Sequence, residues 1–202
     1  MDPSAPAVID RAPEQARDLE LVARALAGEL EGFNRLIDAY QDYLFALAFR
    51  ILSDRDSAAD AVQEAFFHAY RQLEHFRGGS FRSWLTRINV NACMDLMRAR
   101  KRRPSQPFPE LEDEAWEPPA GEEHDPVARA TAAARTEALR AALSRITGDQ
   151  RTAILLFDVE GYDYQEIADM TGVSLGTVKS RIHRGRLALR GLLVDQMELL
   201  RG

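Results

Sequence analysis

The chain has 202 residues, of which 46% are hydrophobic and 29% charged. These values are typical of one large or two small globular domains, and they exclude a fibrous or wholly disordered chain. No apolar run approaches the ~20 residues of a membrane span, and residues 1–18 lack the basic-then-apolar order of a secretion signal. A single cysteine, Cys93, excludes an internal disulfide and, with four scattered histidines, argues against a metal site. The composition predicts a cytoplasmic protein without a metal or other cofactor.

The net charge of -6 hides an uneven distribution. Residues 104–126 contain eight acids, six prolines and no lysine or arginine, whereas the rest of the chain has 26 bases and 24 acids. Arg98–Arg103 has five bases in six positions, and Ser174–Arg190 has five bases and no acid. Two basic segments around an acidic spacer indicate two modules that face nucleic acid, although two solvated helix ends would carry the same charges.

The first half of the chain has helical periodicity. Residues 1–18 are predicted to be a flexible tail. Steps of three and four residues then predict one long helix carrying Leu30, Phe33, Ile37, Tyr40, Leu44, Leu47 and Ile51. Asp54 and Asp56 suit the start of a second helix, whose inner stripe is Val62, Phe66, Ala69 and Leu73. Ser80 is a predicted N-cap for a third helix that ends before Pro104 and has an inner face of Leu85, Ile88, Ala92 and Leu96.

The remaining chain is predicted to be an acidic linker followed by a second helical domain. Prolines and acids favour an extended linker over residues 104–129, in which Phe108 and Trp116 either dock on a partner or are incidental. Helices are expected around 138–146, carrying Ala138, Leu139, Ala142, Leu143 and Ile146, and over 153–159, ending at Gly161. No segment shows sustained strand alternation. The predicted fold is therefore all-α, with two small domains at 19–103 and 130–202 joined by the linker.

Residues 163–190 have the pattern of a helix-turn-helix. Asp163 and Glu166 have the spacing of a capping box, Gly172 falls in the turn, and Ser174 can cap the second helix. Two helices joined by a glycine-containing turn are typical of a motif whose second helix enters the DNA major groove.

A helical wheel divides this second helix into two faces. The predicted core face holds Val178, Ile182, Gly185 and Leu189, and the donor-rich outer face holds Lys179, Ser180, His183 and Arg184. Arg181 and Arg186 flank the outer face within reach of phosphates. An ordinary amphipathic helix would also have a basic solvated face, but the spacing, turn and caps together favour DNA binding.

The helix after Ser80 carries a second candidate site. Trp84, Asn91 and Asp95 lie on one stripe with Arg87 beside it. An aromatic ring can stack on an unpaired base, an amide can bind its edge and an arginine can hold its phosphate. A tryptophan on a helix is more often a core residue, so this pattern alone is weak.

Three ordered segments give the chain a family resemblance. They are DSAADAVQEAFFHAYRQLEHFRGG (56–79), SFRSWLTRINVNACMDLMRARKRR (80–103) and YQEIADMTGVSLGTVKSRIHRGR (164–186). Together they resemble the extracytoplasmic-function (ECF, group 4) sigma factors of bacterial RNA polymerase, in the sigma-70 family. Residues 19–103 are similar to sigma region 2 and 130–195 to sigma region 4. The resemblance implies a factor without catalytic activity that joins core polymerase and directs it to promoters.

The resemblance also implies roles for individual residues. Polymerase binding through the β′ clamp helices is implied for Asp60, Gln63 and Glu64. Capture of a flipped base of the −10 element is implied for Asn91, with the Phe76–Ser80 loop completing the pocket and Trp84 and Arg87 near the melting site. Reading of the −35 element is implied for Lys179, Ser180, His183 and Arg184, with Arg181 beside them. Lys179 and His183 depart from the arginine and aromatic residue of better-known members, so the −35 sequence is not transferable from a relative.

The implied partners are core RNA polymerase, including its β subunit, promoter DNA and an anti-sigma factor. In this family the linker threads through the polymerase channel that later holds RNA. The free protein is expected to be a monomer. An anti-sigma factor would hold it inactive by covering the polymerase and DNA surfaces.

Two other classes of function compete with this interpretation. A stand-alone helix-turn-helix regulator would usually dimerise on paired half-sites, and no dimerisation domain is visible in the sequence. An enzyme is disfavoured because no nucleophile–base pair or metal cluster is recognisable. Cys93 is either a redox sensor or a small apolar core residue, and the absence of a second cysteine favours the core role.

Overall fold

The computed structural model describes residues 12–102 and 126–199, which form eight α-helices and no strand. The first four helices are α1 (Ala12–Leu26), α2 (Leu30–Leu52), α3 (Arg55–Arg71) and α4 (Phe81–Arg102). The last four are α5 (Pro126–Arg145), α6 (Gly148–Ile154), α7 (Tyr164–Thr171) and α8 (Leu175–Leu199). A short 3₁₀ helix follows α3 at Leu73–His75, and a π-helical turn extends α6 over Leu155–Val159. Within the described ranges, no helix has the length and apolar character needed to cross a membrane.

The helix ends follow the capping chemistry expected from the sequence. The Asp54 carboxylate accepts the Ser57 amide at 2.7 Å at the start of α3, and the Ser80 hydroxyl accepts the Ser83 amide at 3.1 Å at the start of α4. The predicted capping box of α7 is confirmed, because Asp163 and Glu166 exchange both hydrogen bonds. These caps satisfy amide groups that have no partner within the helix.

The core of the first half is built around α2. Its inward residues, including Leu36, Leu44, Leu47 and Ile51, are fully buried. The predicted stripe of α3 is also buried and comprises Val62, Phe66, Ala69 and Leu73. Small residues at Ala58, Ala61 and Ala65 of α3 lie in the same core, so the helices can approach closely. Both predicted helices are confirmed, but the predicted series on α2 is only partly buried, because Leu30 is exposed and Ile37 is half-buried.

Helix α1 begins within the stretch expected to be a flexible tail. The helix starts at Ala12, and Asp18 is buried where it accepts a hydrogen bond from the Tyr40 hydroxyl of α2. Burial and this hydrogen bond raise the pKa of Tyr40. Gly32 permits close contact between α1 and α2, because a Cβ there would meet the Leu21 carbonyl oxygen at 2.7 Å. The predicted tail of residues 1–18 was therefore wrong from residue 12 onward.

The inner face of α4 is wider than the predicted stripe and is rotated from it. Leu85 is buried as predicted, but Ile88, Ala92 and Leu96 are only half-buried. The fully covered residues of α4 are Phe81, Leu85, Thr86, Asn89, Val90, Cys93 and Met94. The reason is that α4 packs against α7 as well as against α2 and α3. A helical wheel identifies one apolar stripe on α4, and it does not reveal that α7 covers further residues of the same helix.

The two halves of the chain pack against each other. Buried residues of both halves form one continuous apolar cluster, in which α4 contacts α7 and α2 contacts α6. The sequence predicted two small domains joined by a linker and did not predict this contact. The predicted linker, with Phe108 and Trp116, falls mainly outside the described residues. Its last residues, 126–129, belong to α5.

The cap at Asp54 should make stability depend on pH. Burial alone would raise the pKa of Asp54, but hydrogen bonds from Ser57 and the Arg100 guanidinium hold it below its usual value. A carboxylate with a lower pKa in the folded state stabilises the fold above about pH 4, and this contribution is lost as the pH falls through the folded pKa.

We expect Asp54→Asn, which keeps a capping side chain without the charge, to lower the free energy of unfolding at pH 7 by about 1 kcal/mol. Urea denaturation of both proteins from pH 7 downward measures the difference. It should shrink below about pH 4. A difference that stays constant or grows in acid would contradict the assigned ion pair.

Candidate nucleic-acid and polymerase interfaces

Helices α7 and α8 form the predicted helix-turn-helix. Gly172 ends α7 with φ +68°, a left-handed conformation that suits glycine. Its amide donates to the Ala168 carbonyl at 2.9 Å. The Ser174 hydroxyl then accepts the Thr177 amide at 3.2 Å and caps α8. Val178 and Ile182 are buried, as the helical wheel predicted, so the opposite face of α8 is held toward solvent.

Gly185 sets how closely α8 approaches α6. A Cβ at this position would lie 2.5 Å from Ile154 Cδ1 and 3.2 Å from Gln150 Cβ. Any larger side chain would push the two helices apart or displace Ile154. The glycine therefore fixes the position of the helix that carries the candidate DNA-reading residues.

The outer face of α8 presents donors to solvent. Lys179, His183 and Arg184 are exposed, and Ser180 is half-buried. Arg184 donates to the Ser180 hydroxyl at 2.6 Å, and Lys179 Nζ lies 5.4 Å from the centre of the Tyr164 ring. Four neighbouring polar side chains on one accessible helix face can reach base edges and phosphates together.

The two flanking arginines are engaged within the protein. Arg181 is largely buried and donates to the Asp149 carboxylate at 3.1 Å. Arg186 Nε donates to Asp158 at 3.0 Å, and this hydrogen bond raises the pKa of Arg186. The sequence analysis placed Arg181 beside the residues predicted to contact the −35 element and predicted that Arg186 could reach DNA phosphates. The structure places both in ion pairs that hold α8 against α6 and the π-helical turn.

The candidate −10 residues of α4 divide into exposed and packed groups. Arg87 and Asn91 are exposed. The Trp84 ring is half-buried, with its centre 5.4 Å from that of Phe76 and 5.6 Å from that of Phe81. The hydroxyl of Ser80 is used as the α4 cap. Gly78 and Gly79 have φ values of +89° and +84°, and they make the turn that brings Phe76 back onto Trp84.

An open groove between α3 and α4 brings together residues from two predicted sites. Asp60 and Glu64 line it from α3, and Asn91 and Asp95 line it from α4. His68 Nε2 lies 2.7 Å from the Glu64 carboxylate in the same groove. Gln63 lies apart from this group, in a shallower groove between α2 and α3. The three residues expected to bind polymerase are therefore exposed on α3 but divided between two grooves.

Helix α3 exposes two aromatic residues for which the sequence predicted no role. Phe67 and Tyr70 are each about half exposed. The Arg71 guanidinium lies 5.5 Å from the Phe67 ring centre, and Tyr70 packs edge-on against Phe33 at 5.0 Å. Phe67 follows Phe66 directly, and adjacent residues point about 100° apart around a helix, so a pair of phenylalanines can place one ring in the core and the other near its edge. The Phe66–Phe67 pair was therefore the feature of the sequence that could have indicated an exposed aromatic ring on α3.

The basic run at the end of α4 is partly used inside the protein. Arg100 turns back to the N-terminus of α3, where it pairs with Asp54 at 3.2 Å and contacts Ser57. Arg98 pairs with Asp95 at 3.2 Å. Lys101 and Arg102 are exposed. The run therefore supplies structural ion pairs as well as accessible charge.

Residues 36–103 match the family described as Sigma-70 region 2, and residues 136–189 match Sigma-70, region 4. The chain is 36% identical over 190 residues to the ECF RNA polymerase sigma factor SigM of Mycobacterium tuberculosis, which covers 93% of this chain and 90% of the relative. This chain is an ECF sigma factor. It is also 34% identical over 195 residues to the ECF RNA polymerase sigma factor SigE of Mycolicibacterium smegmatis, over 95% of this chain and 68% of the relative.

Solved structures agree with the assignment. The sigma factor RpoE of Bartonella quintana, solved with the anti-sigma factor NepR, has a TM-score of 0.60 and 29% identity to this ECF sigma factor. That comparison covers 80% of this chain and 96% of the relative. An ECF sigma factor is a non-enzymatic factor that directs transcription initiation, so the helix-turn-helix and the region 2 helices belong to one initiation factor.

Cys93 lies in the core of this sigma factor. Its side chain is fully buried, and burial raises the pKa of its thiol to about 12. A thiol with such a pKa is protonated at neutral pH and reacts slowly. This environment agrees with the predicted apolar role.

A matched pair of glycines on α8 tests the close packing at Gly185. Gly191→Ala should raise the free energy of unfolding by about 0.5–1 kcal/mol, because nothing lies within 4 Å of the added Cβ and alanine favours helix. Gly185→Ala should lower it by about 1 kcal/mol or more, since the added Cβ overlaps Ile154. Urea denaturation measures both changes. Equal stabilisation by the two substitutions would contradict the tight contact.

Proposed function

We propose that this ECF sigma factor reads duplex −35 DNA with the outer face of α8. The observation that carries the proposal is the cluster of accessible donors formed by Lys179, Ser180, His183 and Arg184. A side-chain pair that hydrogen-bonds a base edge discriminates by about 1–3 kcal/mol. Arg184 has the planar fork that suits guanine, whereas Lys179 supplies a point charge. Arg181 supports this face from behind through Asp149.

The proposed −10 site centres on Asn91. Its amide is exposed at the edge of the α3–α4 groove, with Arg87 exposed one turn earlier on the same helix. The amide offers both a donor and an acceptor to the edge of an unpaired base, and Arg87 offers a charge to its phosphate. Flipping a base costs a few kcal/mol, which these contacts must offset. Phe76, Trp84 and the turn at Gly78–Gly79 would form the wall of the pocket.

The proposed polymerase surface is the exposed side of α3 at Asp60, Gln63 and Glu64. These two acids and an amide lie within about one helical turn of each other. Phe67 and Tyr70 continue the same exposed helix toward its C-terminus. Aromatic residues are enriched in the cores of protein interfaces, whose rims are polar, so exposed Phe67 and Tyr70 beside polar side chains suit a protein partner. We assign the β′ clamp helices of core polymerase, and separately the β subunit, as partners on the basis of the family.

We further propose that an anti-sigma factor controls this protein. The supporting observation is that the related RpoE was solved with the anti-sigma factor NepR. Because its function requires polymerase, the expected compartment is the cytoplasm. The acidic stretch at 104–126 is proposed to follow the RNA channel of polymerase, since a channel that accommodates a polyanion suits an acidic chain.

Reconstituted transcription tests the whole proposal. Purified core polymerase is supplied with fragmented genomic DNA of the host, with and without the factor, and run-off products are mapped. Discrete new starts that share −35 and −10 sequences are expected. Core binding without starts would point to a missing condition, whereas absence of core binding would overturn the proposed polymerase surface.

Substitutions on α8 test the −35 assignment on a promoter found in this way. Lys179→Ala and Arg184→Ala should each weaken binding of the holoenzyme to promoter DNA by about tenfold at fixed salt. Arg145→Ala removes one exposed charge from α5 of the same half and should change binding by less than about twofold. Electrophoretic mobility shifts give the affinities. Equal losses at all three positions would indicate a non-specific charge effect.

Substitutions on α4 separate base capture from packing. Asn91→Ala should leave the melting temperature unchanged and reduce promoter opening by about tenfold, since the exposed amide has no core contact. Trp84→Ala should lower the free energy of unfolding by about 2 kcal/mol, because its ring packs on Phe76 and Phe81. Permanganate reactivity of unpaired thymines reports opening. Normal opening by Asn91→Ala would reject its role in base capture.

A further inference from the structure

A buried carboxylate joins the two halves of the protein. Glu160 follows the π-helical turn in the second half, and its side chain is almost completely covered. All of its charged and hydrogen-bonding partners among the described residues belong to the first half. The Tyr43 hydroxyl donates to it at 2.8 Å, Arg82 donates at 3.1 Å, and Arg50 lies 3.8 Å away.

The receptor for Glu160 is itself an ordered cluster. The Arg82 guanidinium stacks over the Tyr43 ring at 4.0 Å, and the Tyr43 hydroxyl also contacts the Thr86 hydroxyl at 3.2 Å. Burial, followed by the nearby Glu160 charge, raises the pKa of Tyr43. The phenol therefore stays protonated and able to donate. If the carboxylate leaves this cluster, Arg50 and Arg82 lose their shared ion-pair partner and become more accessible to solvent.

Two further contacts support the same interface. Arg151 of α6 is buried and donates to the Ser53 hydroxyl at the end of α2. Gly148 at the start of α6 lies against Met97 of α4 so closely that a Cβ there would overlap the Met97 sulfur. The contact therefore combines charge, hydrogen bonding and close packing.

The interface is also incompletely satisfied. Arg82 Nε, Arg151 Nε and the Tyr162 hydroxyl are buried without a hydrogen-bond partner within the described protein. Buried polar atoms without partners destabilise the state that contains them. These three atoms therefore make the docked arrangement of the two halves less stable. This is expected if the halves have to separate for function.

When the two halves are packed together, the candidate DNA-binding surfaces are too close to each other to span the −35 and −10 elements of a promoter. The −35 and −10 elements are roughly 25 base pairs apart, which is about 85 Å along B-DNA at ~3.4 Å per base pair. In the protein α4 contacts α7, and α7 contacts α8. Packed helix axes are ~8–10 Å apart where they cross, so α4 and α8, which both contact α7, belong to one group of packed helices that is small beside this span. Asn91 and the outer face of α8 cannot reach both elements in this arrangement.

We infer that Glu160 docks the second half onto the Tyr43–Arg50–Arg82 cluster of the first half and thereby holds the free factor in a closed, promoter-incompetent state. The inference rests on the proposed −10 and −35 functions of the two halves. The occupant of the cluster is the factor's own Glu160 segment. Core polymerase would have to separate the halves, so its apparent affinity would be reduced by the small fraction of open protein.

Distance measurements on the full-length free protein test the closed state. Spin labels at Ala39→Cys and Ala188→Cys, both exposed, report the separation of the halves by pulsed electron resonance. The native thiol of Cys93 is buried with its pKa raised to about 12, so labelling at neutral pH selects the introduced cysteines. We expect a narrow distribution of short distances in the otherwise unchanged protein.

Glu160→Ala should convert this distribution to a broad one at longer distances. Arg82→Gln, which alters the other half of the pair, should have the same effect. Asp158→Asn is the matched control, because it removes an ion pair with Arg186 that lies wholly within the second half. It should leave the short distances unchanged. Circular dichroism should confirm that each variant keeps its helical content.

Core binding gives an independent measurement. If about one tenth of the free protein is open, Glu160→Ala should tighten the apparent Kd for core polymerase by up to about tenfold, whereas Asp158→Asn should not. Broad, long distances in the unchanged protein, or short distances that persist in both Glu160→Ala and Arg82→Gln, would overturn the inference. Opening without promoter-specific transcription would instead count against the proposed function alone, because the distance measurement needs neither polymerase nor DNA.

Discussion

The buried Glu160 carboxylate joins the second half of the protein to Tyr43 and Arg82 of the first half. An ionised carboxylate is costly to remove from water unless other groups replace its hydration. Here those groups come from the other half of the chain, at 2.8 Å and 3.1 Å. The burial of one charge therefore depends on the docking of about 70 residues, and the docking in turn decides which helix faces are accessible together.

The surfaces assigned to DNA depend on packing behind them. Helix α8 shows donors to solvent because Val178, Ile182 and Gly185 fix its opposite face, and because Arg181 is tied to Asp149. Helix α4 shows Asn91 because a wide arc of the helix is covered by α2, α3 and α7. In both helices the exposed residues contribute little to the core. Their chemistry is therefore available for recognition without a direct effect on stability.

The first half shows a similar division on α3. Small residues such as Ala61 and Ala65 bring this helix close to the core, and the outward side is left with acids, an amide and two aromatic rings. The Arg100–Asp54 pair links the end of α4 to the start of α3. The groove that holds Asp60, Glu64 and Asn91 lies between these two helices, so the candidate polymerase and −10 residues are positioned relative to each other by the same pair of helices.

The amino-acid sequence by itself determined the local structure and the family. Apolar spacing predicted α2 and α3, the Asp163–Glu166 pair predicted the start of α7, and the wheel of α8 separated Val178 and Ile182 from Lys179 and Arg184. These features depend on residues within a few positions of each other, where the helical repeat fixes the geometry. Three ordered motifs then indicated a sigma factor, and the comparisons confirmed that family.

Only the tertiary structure decided the features that depend on distant residues. It placed a separate helix, α1, from Ala12 to Leu26, with Asp18 buried against Tyr40. It rotated the covered face of α4, engaged Arg181 and Arg186 in ion pairs, and packed Trp84 on Phe76 and Phe81. It also brought Glu160 to Tyr43, 117 positions away. Side-chain spacing along one helix carries no information about which second helix covers it, so these contacts emerge only when the whole chain is packed.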